Sequence, residues 1–178
     1  HPEYYALAER YLRGMLLHTQ HREPELRTFM RDNEKPKSDA EFDVIRRTVG
    51  GYAMQLPNDR MREGDWPLST LDITSGAIHA MTECYRYRVT RNSDTSSVNL
   101  YFDYDGDDVT VESYLPLEGR IAFTMKQEGT LRIRVPEWCD SAAMRAQVAG
   151  SGAAAKVDVD KGYFVIAGLA AGASGEVR

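Results

Sequence analysis

After Asn92 the apolar pattern changes its period from about 3.6 residues to 2, the repeats of a helix and of a strand. No other feature limits the possible folds so tightly. Before the change, Tyr4, Leu7, Ala8, Tyr11, Leu12, Met15 and Leu16 recur at steps of three and four, opposite Glu9, Arg10 and Arg13. That spacing predicts an amphipathic helix from Tyr4 to Leu17. A second helix is expected from Asp72 or Thr74, either of which can cap it, to about Thr90. Its buried stripe would be Ile73, Ala77, Ala80, Met81, Cys84 and Tyr87. Between the helices, the polar, Pro-punctuated stretch 20–40 reads as loop with one short helix. Phe42 to Val49 is a short apolar segment closed by Gly50-Gly51, and turns at Pro57-Asn58-Asp59 and Glu63-Gly64-Asp65 mark a long loop.

After the change, Val98, Leu100, Phe102 and Tyr104 alternate with Asn99, Tyr101 and Asp103. Asp105-Gly106 then turns the chain into Val109 and Val111, which predicts a β-hairpin. Ile121, Phe123 and Met125 form a third strand. Leu131, Ile133 and Val135 form a fourth, with Arg132 and Arg134 facing water and Pro136 ending it. Met144 to Val148, Lys156 to Val159 and Tyr163 to Ile166 are further short strands, and Gly175 to Arg178 reads as one just starting. Short strands with regular turns indicate an antiparallel β-sandwich. The class is therefore α+β, with a helical part over 1–91 and a β part over 92–178. Without βαβ alternation, neither a Rossmann fold nor a TIM barrel is expected.

At 178 residues with 42% hydrophobic and 28% charged positions, the chain can bury a core without staples. Twenty-seven acidic against 22 basic residues, with no cluster of Lys and Arg, argue against nucleic acid as a partner. No run of eighteen apolar residues exists, so no membrane-spanning helix is expected, and no secretory leader pattern opens the chain. It starts at His1 rather than Met and enters a helical pattern almost at once, which suggests a piece of something longer. Cys84 and Cys139 form no C-x-x-C, no disulfide framework and no four-thiolate site, and leave the compartment open.

Asp72, His79 and Glu83 fall on one face of the second helix, where an acid, an imidazole and another acid could do proton-transfer chemistry if that face lined a cleft. A solvated polar face is the other reading. Cys84, on the apolar stripe, reads as a small core residue. His18 and His21, in H-T-Q-H, lack a third ligand and read as a solvated helix end, so no metal site is assigned. Tyr52, Trp66, Tyr85, Tyr87 and Trp138 could stack on sugar rings or fill a core, and Trp66, in the turn-rich loop, is the one best placed for a ligand. There is no G-x-S-x-G, phosphate-cradling glycine loop or H-E-x-x-H.

Several segments taken in order resemble the β-L-arabinofuranosidase-like enzymes of glycoside hydrolase family 127. They are A-E-R-Y-L-R-G-M-L-L-H-T-Q at Ala8 to Gln20, G-G-Y-A with P-N-D at Gly50 to Asp59, the helix after Asp72, V-N-L-Y at Val98 to Tyr101, Y-L-P-L-E-G-R-I at Tyr114 to Ile121, L-R-I-R-V-P-E-W-C at Leu131 to Cys139, the V-x-G near Val148 and G-Y-F-V-I at Gly162 to Ile166. The resemblance implies the last helices of an (α/α)6 barrel followed by a β-sandwich, and a carbohydrate substrate. It implies a retaining glycosidase whose cysteine nucleophile is activated by zinc, which holds the thiol as thiolate. The family's tandem Cys-Cys falls here on Asp72-Ile73, so both thiols are absent, and its Glu-x-Cys pair and acid/base Glu would fall before His1. Asp72 would then be a carboxylate in place of the thiolate, or a helix cap. The expected cleft residues are Asn58, Asp59 and Trp66 for substrate and Asp72, His79 and Glu83 for chemistry. The expected partner is the rest of a longer chain, without which this one is expected to be inactive. A non-catalytic relative serving as a structural or carbohydrate-binding module is the alternative.

Overall fold

The computed structural model describes residues 1–20, 22, 49–52, 71–150 and 156–178, with the side chains of Leu71, Asp72, Lys156 and Val157 left aside. The readings made for 23–48 and 53–70 lie outside the described residues. The chain divides into two compact units, Ala8–Glu83 and His1–Leu7 with Cys84–Arg178. Each of the two α-helices among the described residues supplies residues to both.

Helix α1 spans Pro2–Gly14 and a 3-10 turn, Leu16–Thr19, follows it. Pro2 opens the helix because its fixed φ suits the first helical position, while Glu3 and Arg13 complement the two ends of the helix dipole. In the Ala8–Glu83 unit, Leu12 is buried, and so is Glu9, whose carboxylate accepts from Arg13 Nε one turn on at 3.0 Å. Helix α2, Leu71–Tyr87, starts one residue before Asp72, placing Asp72 and Thr74 inside its first turn. Tyr52, 2% exposed, lies against it: its backbone N–H donates to Thr74 Oγ1 at 3.2 Å and its hydroxyl to Met81 Sδ at 3.1 Å. A buried Tyr52 is not available for stacking on a sugar.

The helix ends three residues earlier than the sequence indicates. Val89 and Thr90, β-branched, already belong to strand β1 (Val89–Asn92), which turns through Ser93-Asp94 into β2 (Thr95–Val98). The remaining strands are β3 (Tyr104–Asp105), β4 (Val109–Ser113), β5 (Ile121–Met125), β6 (Gly129–Arg134), β7 (Ala146–Ala149), β8 (Lys156–Asp160), β9 (Tyr163–Leu169) and β10 (Ser174–Val177). They form two five-stranded sheets, β1-β2-β6-β9-β8 and β3-β4-β5-β10-β7. All pairings are antiparallel except β2 with β6, which run parallel. The chain end expected to begin a strand is β10, paired on both sides, with β5 and β7.

Both sheets contribute to one apolar cluster: Val98, Leu131, Ile133, Phe164 and Ile166 from the first, Val109, Val111, Phe123, Met125 and Val177 from the second. The alternation read through 98–104 breaks because the chain crosses there from one sheet to the other. Asn99, Leu100 and Tyr101 are consecutively buried, although period 2 placed Asn99 and Tyr101 outward. Arg134 is also corrected, from water-facing to 2% exposed. Its Nε donates to the Asn99 carbonyl at 2.6 Å, its guanidinium covers the Tyr101 ring at 4.7 Å, and the Tyr101 hydroxyl donates to its carbonyl. Two glycines are required by geometry. Gly162, at φ +79° in the β8–β9 turn, would bring a Cβ to 2.8 Å from Pro2 Cγ. At Gly129, a Cβ would strike the Asp94 carbonyl.

Candidate functional site

Among the residues expected to carry chemistry, His79 and Glu83 stand one turn apart on α2, with Nε2 and Oε1 4.0 Å apart. Both are open to water, the side chain of His79 at 78% and that of Glu83 at 44%. The face between the apolar positions is therefore solvated on this chain, and such an exposed pair contributes well under about 1 kcal/mol. Asp72 lies in the first turn of the same helix, where the positive end of the helix dipole favours a carboxylate. Eleven residues separate it from Glu83, about 16 Å along the axis at 1.5 Å per residue. The two carboxyls of a glycosidase stand about 5–9.5 Å apart, so Asp72 and Glu83 do not by themselves make that pair. Asn58, Asp59 and Trp66 lie outside the described residues, as does His21, while His18 is exposed in the 3-10 turn.

The donor set does not fit a zinc–thiolate centre. No three His, Cys, Asp or Glu side chains converge among the described residues. Neither cysteine is in a disulfide, and at Cys139 burial, then the neighbouring Asp140 carboxylate, push the thiol pKa up. A zinc-bound or nucleophilic thiolate needs the opposite shift.

The β unit carries a groove that no sequence pattern singles out. It runs past the end of the short β3, has a volume of about 550 Å3, and is lined by residues that include Tyr85, Arg88, Asp103, Tyr104, Glu112 and Tyr114. Arg88, 8% exposed, is fixed by the Tyr85 and Asp103 carbonyls and sits 3.5 Å from the Tyr85 ring centre and 4.9 Å from that of Tyr104. β4 continues past its two-residue partner, and the Asp103 carboxylate takes over from the missing ladder, accepting from the Ser113 N–H at 2.8 Å. Glu112 accepts from the Tyr114 hydroxyl at 3.0 Å. Behind the wall, the buried Asp108 accepts from Ser96 and from Tyr104, whose phenol pKa is raised by burial and then by Asp108.

No family model matches the chain, and no curated protein does. Solved structures do. A GH127 β-L-arabinofuranosidase from Geobacillus stearothermophilus T6 is 19% identical, with a TM-score of 0.53 over 99% of this chain and 28% of its own. A GH127 β-arabinofuranosidase, 21% identical, gives 0.44 over 66% of this chain and 22% of its own. A further glycoside hydrolase, 18% identical, gives 0.48 over 71% and 24%. The chain thus spans about a quarter of the length of these structures, and across nearly all of its own length its fold is similar to part of the Geobacillus enzyme.

Proposed function

We propose that this chain supplies the closing helices of an (α/α)6 barrel, over 1–91, and the β-sandwich that follows, over 92–178, in a family 127-like glycoside hydrolase acting on a glycan. The observation that carries the reading is the fold likeness over 99% of the chain. The surface of α1 supports it. Tyr4, Leu7 and Tyr11 keep helical spacing yet are 68%, 42% and 55% exposed, a stripe suited to packing on neighbouring barrel helices.

In this reading Asp72 takes the place of the family's thiolate at the N-terminal end of α2, as an ionised carboxylate. Its protonated partner comes from barrel helices that precede His1 in the longer protein. Asn58, Asp59 and Trp66 bind the sugar, and His79 and Glu83 lie further along the same helix. The tandem thiols are replaced by Asp72-Ile73, so in this reading the nucleophile is not a zinc-activated thiolate.

The test is sugar release from aryl glycosides and oligosaccharides by the longer protein, its Asp72→Asn variant and the 178-residue chain alone. Release by the longer protein is expected to fall about ten-thousand-fold or more in Asp72→Asn, as for removal of a catalytic carboxylate or nucleophile, and to survive a chelator. The short chain is expected to be inactive. Full activity in Asp72→Asn, or loss on chelation, refutes the mechanism. No turnover on any substrate favours the non-catalytic relative.

A further inference from the structure

The geometry points to a binding groove for a neutral oligosaccharide on the β unit, centred on Tyr85, Tyr114 and Glu112. The first support is a pair of rigid aromatic faces. Tyr85 is 67% exposed although Arg88 covers one side of its ring at 3.5 Å, which leaves the other side to solvent and fixes its orientation. Tyr114 is backed in the same way by Arg120, at 3.4 Å. A sugar stacks its C–H face on such rings, and rings already held in place lose little entropy on binding.

The second support is the arrangement of acceptors. Glu112 is oriented by the Tyr114 hydroxyl, Asp103 by the Ser113 amide, and Asp105 by Thr110 at 2.9 Å and Lys126 at 2.5 Å. Each carboxylate keeps lone pairs for the hydroxyls along a sugar's edge. Ser113 Oγ, in the groove wall, is buried with no hydrogen-bond partner. Arg88 is the one cation in the groove lining, Lys126 beside it is already paired with Asp105 and Arg120 with Glu118 and Glu176, so the Asp103 and Glu112 carboxylates disfavour a uronate or sulfated sugar, which sets the class as neutral.

The third support is continuity. Thr110 and Glu112 also border a second hollow, of about 650 Å3, across the outer face of β4, β5, β10 and β7. Ala122 lies on its floor between Glu112 and Glu176, which flank it in the sheet register, and Gln147 is the next residue along the row. A ligand longer than one sugar ring can therefore continue over the sheet, and each hollow falls within the usual size of small-ligand sites, about 300–1,000 Å3.

The experiment is affinity electrophoresis of the 178-residue chain in gels containing arabinan, xyloglucan or galactomannan, with polygalacturonate as the acidic comparison. At least one neutral polysaccharide is expected to retard the chain. Tyr85→Ala and Glu112→Gln should each weaken that retardation about tenfold, while Tyr85→Phe, which keeps the ring over Arg88, and Trp138→Ala, outside the groove, should not. Glu112→Gln and Tyr85→Phe preserve shape, so misfolding of Tyr85→Ala would not hide the answer. The proposal is overturned by no retardation on any neutral gel, by full retardation of Glu112→Gln, or by stronger retardation on polygalacturonate. Hydrolysis by the longer protein with no retardation here overturns the groove alone. Retardation with no hydrolysis overturns the hydrolase reading and leaves the groove standing.

Discussion

Asn99 joins the end of α2 to both neighbouring strands, and removing it should cost more than any one of its bonds. Its Nδ2 donates to the Tyr87 carbonyl at 3.0 Å and to Thr90 Oγ1 at 2.9 Å, while its Oδ1 accepts from the Tyr163 hydroxyl at 2.7 Å. The residue is 1% exposed and Tyr163 is 8% exposed, so water does not replace what is lost. Three bonds at about 1 kcal/mol each, plus about 1 kcal/mol for the orphaned phenol, give about 4 kcal/mol for Asn99→Ala. For a chain of this size that is a fall in Tm of about 10 °C. Tyr163→Phe removes one bond and leaves Oδ1 unanswered, at about 1.5 kcal/mol. Once Asn99 is gone, however, the same substitution removes the orphan, so the double variant should be no less stable than Asn99→Ala. Urea unfolding of the four proteins, followed by circular dichroism, measures the cycle. If the two single effects add to within about 0.5 kcal/mol, the three bonds are not one network and the reasoning fails.

Gly162→Ala should destabilise the β unit by about 2 kcal/mol in the same assay, because alanine at φ +79° is strained and its Cβ meets Pro2. A cost below that of an ordinary surface substitution would contradict the turn geometry. Burial raises the phenol pKa of Tyr52, Tyr104 and Tyr163 above 10.0. The folded state therefore holds these protons, and their contribution to stability is intact below pH 10.0 and lost as pH rises through the folded values. Tyrosinate absorbance should show Tyr52, Tyr104 and Tyr163 among the late-titrating tyrosines, and a single uniform transition would refute their burial. In a Cys84→Ser background, Cys139 should react with a disulfide reagent more slowly at neutral pH than free cysteine does, since its thiol stays protonated. A faster reaction would reverse the sign of that shift.

Where one face of an element is buried and the other is wet, the sequence was a sound guide. Ile121, Phe123 and Met125 alternate in the pattern of a half-buried strand and are buried, and Asp105-Gly106 turns the chain where its residues predict. The reading failed where tertiary contact overrides period. Arg134 alternates like a surface residue, but Tyr101 and the Asn99 carbonyl, both from the crossover between sheets, give it a buried partner set that no local pattern encodes. The parallel pairing of β2 with β6 is equally invisible, since Ser96 and Leu131 become neighbours only across 35 residues of chain. The groove was missed for the same reason. Tyr85 lies in the last turn of a helix, Asp103 in the crossover and Glu112 on a strand, and nothing in their spacing places them together. Tyr85, an aromatic able to stack, is the one signal in the sequence.

The stripe of Asp72, His79 and Glu83 shows the converse limit of a periodic argument. Helical phase placed the three on one face, and His79 and Glu83 do meet at 4.0 Å, yet phase says nothing about distance along the axis. Hydrolysis of one glycosidic bond needs its two carboxyls within about 10 Å, which on a helix means residues no more than about six apart. Asp72 and Glu83 are eleven apart. If Asp72 works on a sugar, its partner must stand across a cleft on another segment, and Glu83 can at most contact a neighbouring sugar unit. Single substitutions in the longer protein separate these roles. Asp72→Asn should abolish the chemical step, whereas Glu83→Gln should alter KM while leaving kcat within about tenfold. Equal collapse of kcat in both would mean the two carboxylates act on one bond, which the geometry of a single straight helix does not allow.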